Sequence, residues 1–156
     1  MDRRDFIVAA GASTIAVAAG RAALAADNPH AMHGAASSTG PGAAPWLTNA
    51  AVVEAAADCG RAGRICLQHC LQMLRSGDSS MNRCSETVSA MLPMCQAAEA
   101  LAIQGSPHLK ALAAVCAKAC RDCEAACKEH AGHHEPCKRC METCQHCAGI
   151  CEKIAA

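Results

Sequence analysis

The chain has 156 residues, with 14 basic and 14 acidic side chains and no formal net charge. It therefore has no basic excess with which to bind nucleic acid or an anionic lipid surface, and neither partner is expected. The chain contains 14 cysteines but only one Trp, one Phe and no Tyr. The two aromatic residues, Phe6 and Trp46, lie outside the predicted core, which must therefore be filled by Ala, Leu, Val, Met and Cys. Cysteine is normally a minority among these residues, so its abundance here needs an explanation of its own.

Residues 1–25 are predicted to be an export signal. Arg3-Arg4-Asp5-Phe6-Ile7 resembles a twin-arginine signal, and the Ala/Gly-rich stretch 8–20 is too short to span a bilayer. Ala23-Leu24-Ala25 supplies a small-residue cleavage pattern. A general secretory signal or an uncleaved anchor is the alternative. We expect a periplasmic or otherwise exported protein that is carried out already folded and has no membrane span once the signal is removed.

Residues 26–46 are rich in Ala, Gly, Ser and Pro and are predicted to form a disordered linker. Residues 47–156 repeat the helical period four times, which predicts helices over 48–75, 80–104, 107–130 and 136–154. The breaks between them are at most five residues long, so consecutive helices are expected to be antiparallel neighbours. The fold class is therefore all-α, an antiparallel up-down-up-down four-helix bundle. Pro93 is expected to kink the second helix or displace one of its turns.

The cysteines follow the helical period. Steps of three, four, seven and eleven residues return to the same face of a helix, which in a bundle is the face toward the core. All fourteen cysteines are placed on such inward stripes and make the core cysteine-lined: Cys59, Cys66 and Cys70 in the first helix, Cys84 and Cys95 in the second, Cys116, Cys120, Cys123 and Cys127 in the third, and Cys137, Cys140, Cys144, Cys147 and Cys151 in the fourth.

Two explanations without metal compete for this pattern. Buried cysteine behaves as a small hydrophobe, but that does not account for nine cysteines in the last two helices in place of Leu and Ile. Disulfides are natural in an exported protein. Neighbours three or four residues apart on a helix, however, place their Cβ atoms at about 5–6 Å, and a disulfide needs about 3.5–4.5 Å. Cross-helix disulfides remain an alternative.

A soft metal ion spans the distance between sulfurs that a disulfide cannot. Thiolates select Cu(I), zinc or iron–sulfur clusters. Structural zinc needs four tetrahedral ligands, and a continuous ladder of cysteines along four helices is not expected to divide into sets of four. The ligands of iron–sulfur clusters usually come from loops rather than from helices. Cu(I) accepts two or three shared sulfurs, and about one Cu(I) per Cys leaves the interior neutral. A zinc or cadmium sequestering module remains the alternative. No catalysis is expected, since no Asp or Glu lies on the inward stripes.

The first predicted hairpin resembles that of the bacterial copper storage proteins. The resemblance lies in Cys66-Leu67-Gln68-His69-Cys70-Leu71-Gln72-Met73, the short turn and Met81, and the cysteine ladders with the twin-arginine signal resemble the exported branch of that family. It covers residues 46–156 and the signal. It implies storage of many Cu(I) ions by inward cysteines without disulfides, a homotetramer, and exchange with a copper chaperone or recipient cuproprotein. It also implies a mouth at which His69, Met73 and Met81 handle copper. Ser76 stands where a further Met is expected.

The up-down order by itself also predicts a mouth. The first connection and the third connection lie at the same end of the bundle, which brings together Met73, Met81, His130, His133 and His134. Whether the three loop histidines bind copper or are simply solvated is left open. His146 is predicted on the outer surface, opposite Cys144. His30, Met32 and His33 in the linker are interpreted as an ordinary tail.

Overall fold

The computed structural model describes residues 48–156 and contains four α-helices. They are α1 (Ala50–Arg75), α2 (Asn82–Ile103), α3 (Leu109–Lys128) and α4 (Glu135–Ala155), with a short 3-10 helix (Ser79–Met81) before α2. No strand occurs in this part of the chain, and none of its helices is both long and apolar enough to cross a membrane. The all-α prediction is confirmed, with helix ends close to those expected. The predicted signal and linker lie outside the described residues.

Contacts between helix ends establish the antiparallel order. The side-chain amide of Asn49 donates to the carbonyl oxygen of Ala102 (3.3 Å), which joins the start of α1 to the end of α2. The ion pair between Arg83 and Glu129 (2.8 Å) joins the start of α2 to the end of α3. Each helix packs against its two neighbours, α1 against α2 and α4, and α3 against α2 and α4. The four helices therefore surround one interior, as the short connections predicted.

Two glycines end helices by adopting the left-handed backbone conformation. Gly77 follows α1 with a φ of +94°, and Gly105 follows α2 with a φ of +60°. After α1 the chain closes with a hydrogen bond from the Asp78 N–H to the Met73 carbonyl oxygen (3.1 Å), as in a glycine-ended helix cap. The Asp78 carboxylate then accepts from the backbone N–H of Ser80 (3.1 Å), which starts the 3-10 helix. The predicted helix breaks therefore lie where the glycines are.

Pro93 does not interrupt α2. The helix runs continuously through it, and the ring lies on the exposed face. Proline has no N–H to donate to the carbonyl four residues earlier, here that of Ser89. Ser89 is also exposed, so water can pair with that carbonyl. The solvent-facing position explains why α2 tolerates a proline in its interior.

The core is made almost entirely of small and sulfur-containing side chains. Alanine and cysteine predominate, and the larger fully buried side chains are Met81, Met91, Val52 and Val88. Among the described residues the only buried polar side chain is Ser85. Helices with small inward residues can approach closely, and in this bundle the interior that they enclose is lined by sulfur.

Two glycines in α1 give a direct test of this packing. Ala is favoured over Gly inside a helix by about 0.5–1 kcal/mol. A Cβ on Gly60 would lie 3.5 Å from the Arg64 Nη1 atom, an ordinary contact, so Gly60→Ala should raise the melting temperature. A Cβ on Gly63 would lie 2.7 Å from Met91 Cε and 3.0 Å from Leu92 Cδ2, so Gly63→Ala should lower it. Thermal unfolding of the reduced apo protein, followed by circular dichroism, measures both. Equal stabilisation by the two variants would contradict the packing described.

Candidate metal centre

All fourteen cysteines lie in the interior. Each has an exposed fraction of 0%, and each is a free thiol. Their sulfurs approach closely between helices, from 3.4 Å for Cys84 and Cys127 to 4.0 Å for Cys59 and Cys120. The helical spacing therefore predicted the inward direction of every cysteine correctly.

The sulfur atoms form five groups, in each of which all Sγ atoms lie within 4.8 Å of one another. Every cysteine belongs to at least one group, and Cys66, Cys140 and Cys147 each belong to two. The groups are Cys59, Cys95, Cys120 and Cys147; Cys66, Cys70, Cys84 and Cys137; Cys66, Cys127 and Cys140; Cys116, Cys147 and Cys151; and Cys123, Cys140 and Cys144. Shared sulfurs join the groups into two sets, one through Cys147 and the other through Cys66 and Cys140, and a 3.5 Å contact between Cys59 and Cys144 links the two sets.

Two of the groups contain four sulfurs, which the sequence argument against fourfold sites did not anticipate. The first takes one cysteine from each helix, namely Cys59, Cys95, Cys120 and Cys147. Spacing along one helix gives the direction of a side chain but not its height relative to the other three helices. Two groups therefore bring four sulfurs within reach of one another, whereas the other three groups contain three sulfurs each.

Neighbouring thiols shift one another's pKa in opposite directions. The hydrogen bond with Cys123 lowers the pKa of Cys127 to about 6. The hydrogen bond with Cys127 raises the pKa of Cys66, and burial raises it further. Desolvation disfavours a thiolate, so a buried sulfur loses its proton readily only where neighbouring S–H groups donate to it. A cation that enters such a cluster stabilises the thiolate form of the neighbouring cysteines, so that further thiols can lose their protons.

Histidines gather at the end of the bundle that holds the first and third connections. His69 Nε2 lies 3.0 Å from His134 Nδ1, and the ring of His130 lies 6.3 Å from that of His134. The hydrogen bond with Cys137 is the main cause that lowers the pKa of Cys70. The electrostatic effect of His69 lowers it by a smaller amount. Of the predicted mouth residues, the structure therefore brings together His69, His130 and His134.

The other mouth residues differ in burial. Met73 and His134 are half-buried, whereas His133 is exposed. Met81 is fully buried within the core cluster, so it lies inside the bundle and not at an opening to solvent. His146 is exposed on α4, as predicted. The linker residues His30, Met32 and His33 lie outside the described residues.

The sequence interpretation missed one sulfur. Met91 is fully buried, and its thioether Sδ lies 3.3 Å from Cys95 Sγ and 3.5 Å from Cys59 Sγ. Its position on the stripe between Cys84 and Cys95 was visible in the sequence, but methionine on an inward stripe is usually core filler. Only the tertiary structure places its sulfur against two thiols from different helices.

A comparison with known families now identifies the chain's relatives. Residues 47–156 match the sequence profile of the copper storage proteins. The chain belongs to the copper storage protein family. Its fourteen buried thiols and their grouping provide the metal-binding interior that storage of copper requires.

Individual relatives agree with this assignment. An uncharacterised cysteine-rich protein of Bacillus subtilis is 30% identical over 106 residues, which cover 68% of this chain and 94% of the relative. The apo structure of copper storage protein 3 from Bacillus subtilis has a TM-score of 0.60 at 30% identity and covers 69% of this chain and 98% of its own. A cytosolic copper storage protein of Streptomyces lividans, solved with five coppers, has a TM-score of 0.64 at 26% identity, covering 71% and 94%.

The burial of the thiols predicts how they react. In the folded, metal-free protein a bulky thiol reagent such as dithionitrobenzoate should react slowly, because every sulfur is inaccessible to solvent. In guanidinium without reductant, the same sample should titrate 14 thiols per chain at once. Fewer than 14 in the denatured sample would indicate disulfides, and rapid reaction of the folded sample would contradict the closed interior.

Proposed function

We propose that this copper storage protein holds Cu(I), at about one ion per cysteine, with the fourteen thiols as its principal ligands. The observation that carries this proposal is that every cysteine is fully buried and belongs to a sulfur group, and that three cysteines are each shared by two groups. Soft thiolates suit Cu(I). One Cu⁺ for each thiolate leaves the interior neutral, which avoids the large cost of buried uncompensated charge.

Sequestration of zinc or cadmium is the second candidate, and the two four-sulfur groups favour it. Those groups use eight of the fourteen cysteines and leave six in groups of three. A buried zinc held by four thiolates also keeps two excess negative charges, and the only buried polar side chain among the described residues is Ser85. Cu(I) uses all fourteen sulfurs and neutralises them, so it is the better match.

We propose storage without catalysis. The interior of residues 48–156 contains no buried carboxylate that would act as a general base beside a thiol. Fourteen thiols distributed over five groups suit holding many ions better than positioning one reacting group.

The proposed route for copper passes the histidine end of the bundle. His69 and His134 lie in contact there, and His69 acts electrostatically on Cys70, which belongs to a four-sulfur group. Met73 lies half-buried at this end, and Met81 lies deeper. We infer that His69, Met73 and Met81 pass ions between a chaperone or recipient cuproprotein and the thiols, since neutral donors hold Cu(I) less firmly than thiolates.

Export and assembly are further parts of the proposal. Export by the twin-arginine pathway rests on Arg3-Arg4 and the small-residue pattern at 23–25. In this respect the chain would differ from the Streptomyces lividans relative, which is described as cytosolic. A homotetramer rests on the resemblance to the exported branch. The exposed apolar side chains of Ile65 and Val115 are compatible with such an assembly. Cell fractionation with an Arg3→Lys/Arg4→Lys variant and light scattering of the bundle test the two points.

The capacity for copper is the first prediction from this proposal. Anaerobic titration with Cu(I) against a competing chelator should saturate near 14 ions per chain, one for each cysteine. Cys66→Ala removes a sulfur of two groups, and Cys151→Ala removes a sulfur of one group, so the first should lower the capacity more than the second. Saturation at four ions or fewer in the unmodified protein would favour discrete four-sulfur sites and contradict the copper(I) stoichiometry.

The second prediction concerns rates at the histidine end. Met73→Leu/Met81→Leu keeps side-chain volume and apolarity nearly constant, so folding and total capacity should barely change. Stopped-flow removal of copper by a chelator, and loading by a donor, should both change in rate. Met94→Leu/Met141→Leu, which alters two half-buried methionines elsewhere against the core, is the matched control. Identical rates in both double variants and the parent would mean that Met73 and Met81 only fill space.

A further inference from the structure

The rows of cysteine on α1 and α2 have a gap in mid-bundle. Cys59 and Cys66 are separated by seven residues, about 10.5 Å along the helix axis, and Cys84 and Cys95 by eleven residues, about 16.5 Å. On α3 and α4 successive cysteines are never more than four residues apart. At the height of this gap, the side of the interior formed by α1 and α2 therefore lacks thiols, whereas the side formed by α3 and α4 has a continuous row of them.

The Met91 side chain lies in this gap. It is fully buried, four residues before Cys95 on α2, and its Sδ lies 3.3 Å from Cys95 Sγ. The same sulfur lies 3.5 Å from Cys59 Sγ on α1. Three sulfurs from two helices thus converge, and two of them also belong to the four-sulfur group with Cys120 and Cys147.

Gly63 provides the room for this arrangement. A Cβ at Gly63 would lie 2.7 Å from Met91 Cε, closer than side-chain carbons approach one another. The Met91 methyl group therefore occupies space that any other residue at position 63 would fill. The absence of a side chain on α1 lets the thioether reach across the gap toward Cys59.

A thioether has a physical advantage over a third thiolate at this point. Three thiolates around one Cu⁺ carry two excess negative charges, whereas two thiolates and a thioether carry one. Uncompensated charge in the interior is costly. Methionine sulfur is polarisable and soft, so it is a suitable donor to Cu(I) that adds no charge.

We propose that Met91 is a copper ligand inside the bundle and completes a three-sulfur site with Cys59 and Cys95. This inference rests on the proposed storage of Cu(I) by the cysteines. It assigns a second role to a residue that the sequence pattern alone treats as part of the hydrophobic core.

Methyl resonances of methionine test the proposal. Protein labelled with carbon-13 at the methionine methyl groups is titrated anaerobically with Cu(I), and Met91→Leu assigns the Met91 signal. The Met91 methyl should shift as copper binds, and the methyls of Met94 and Met141, which border the core, should shift much less. A Met91 shift no larger than those of Met94 and Met141 would overturn the proposal and make Met91 core filler.

Absorption spectroscopy at the selenium edge gives an independent readout. A selenomethionine-labelled Met73→Leu/Met81→Leu protein, loaded with copper, should show a copper neighbour of selenium, and adding Met91→Leu should remove it. If the labelled Met73→Leu/Met81→Leu protein takes up about 14 Cu(I) without a copper–selenium contact, only the assignment of Met91 fails. If it takes up four ions or fewer, the proposed function fails as well.

Chelator competition supplies a functional measure with a matched control. Leucine conserves the volume of methionine, so Met91→Leu and Met94→Leu should both fold. Met91→Leu should keep total capacity within about one ion but release part of its copper faster than the parent protein. Met94→Leu should match the parent. Equal release from both variants would contradict a ligand role for Met91.

Discussion

Desolvation of sulfur is the constraint on which the rest of this structure depends. A neutral thiol is inexpensive to bury, but a thiolate in an interior without cations is not. The interior of residues 48–156 has fourteen fully buried thiols and no buried Lys, Arg, Asp or Glu. Apart from sulfurs such as that of Cys127, which neighbouring S–H groups stabilise as thiolates, negative charge can therefore develop only as a cation enters to balance it. A monovalent soft ion satisfies this condition one sulfur at a time, which is the physical basis for storing many ions in one bundle.

The same constraint explains why the surrounding protein is so regular. Ala55, Ala56, Ala98 and Ala113 pack between the helices, and these small side chains leave the sulfurs in mutual contact. Charged pairs such as that between Arg83 and Glu129 remain on the surface, where they contribute little to stability. The inward faces of the helices thus provide both the packing that forms the bundle and the sulfur atoms of the metal centre.

The two ends of the bundle differ chemically. Histidine side chains gather where α1 ends and α4 begins, with His69 and His134 in contact. At the opposite end the start of α1 is tied to the end of α2 by Asn49 and Ala102. Neutral nitrogen and thioether donors near one end, and thiols along the whole interior, give a gradient from weak to strong copper donors. This difference between the ends is the basis of the proposed loading and release at the histidine end.

The sequence by itself determined the number of helices, their limits and the inward direction of every cysteine, because the helical period and the Gly and Pro breaks are local properties. It also predicted the histidine end, since short connections require antiparallel neighbours. Only the tertiary structure decided which sulfurs share a group, that Met81 is fully buried, and that Met91 reaches Cys59. A helical period fixes the direction of a side chain about one axis. The relative heights of four helices depend on packing between them, including the space left by Gly63, and no single helix encodes that.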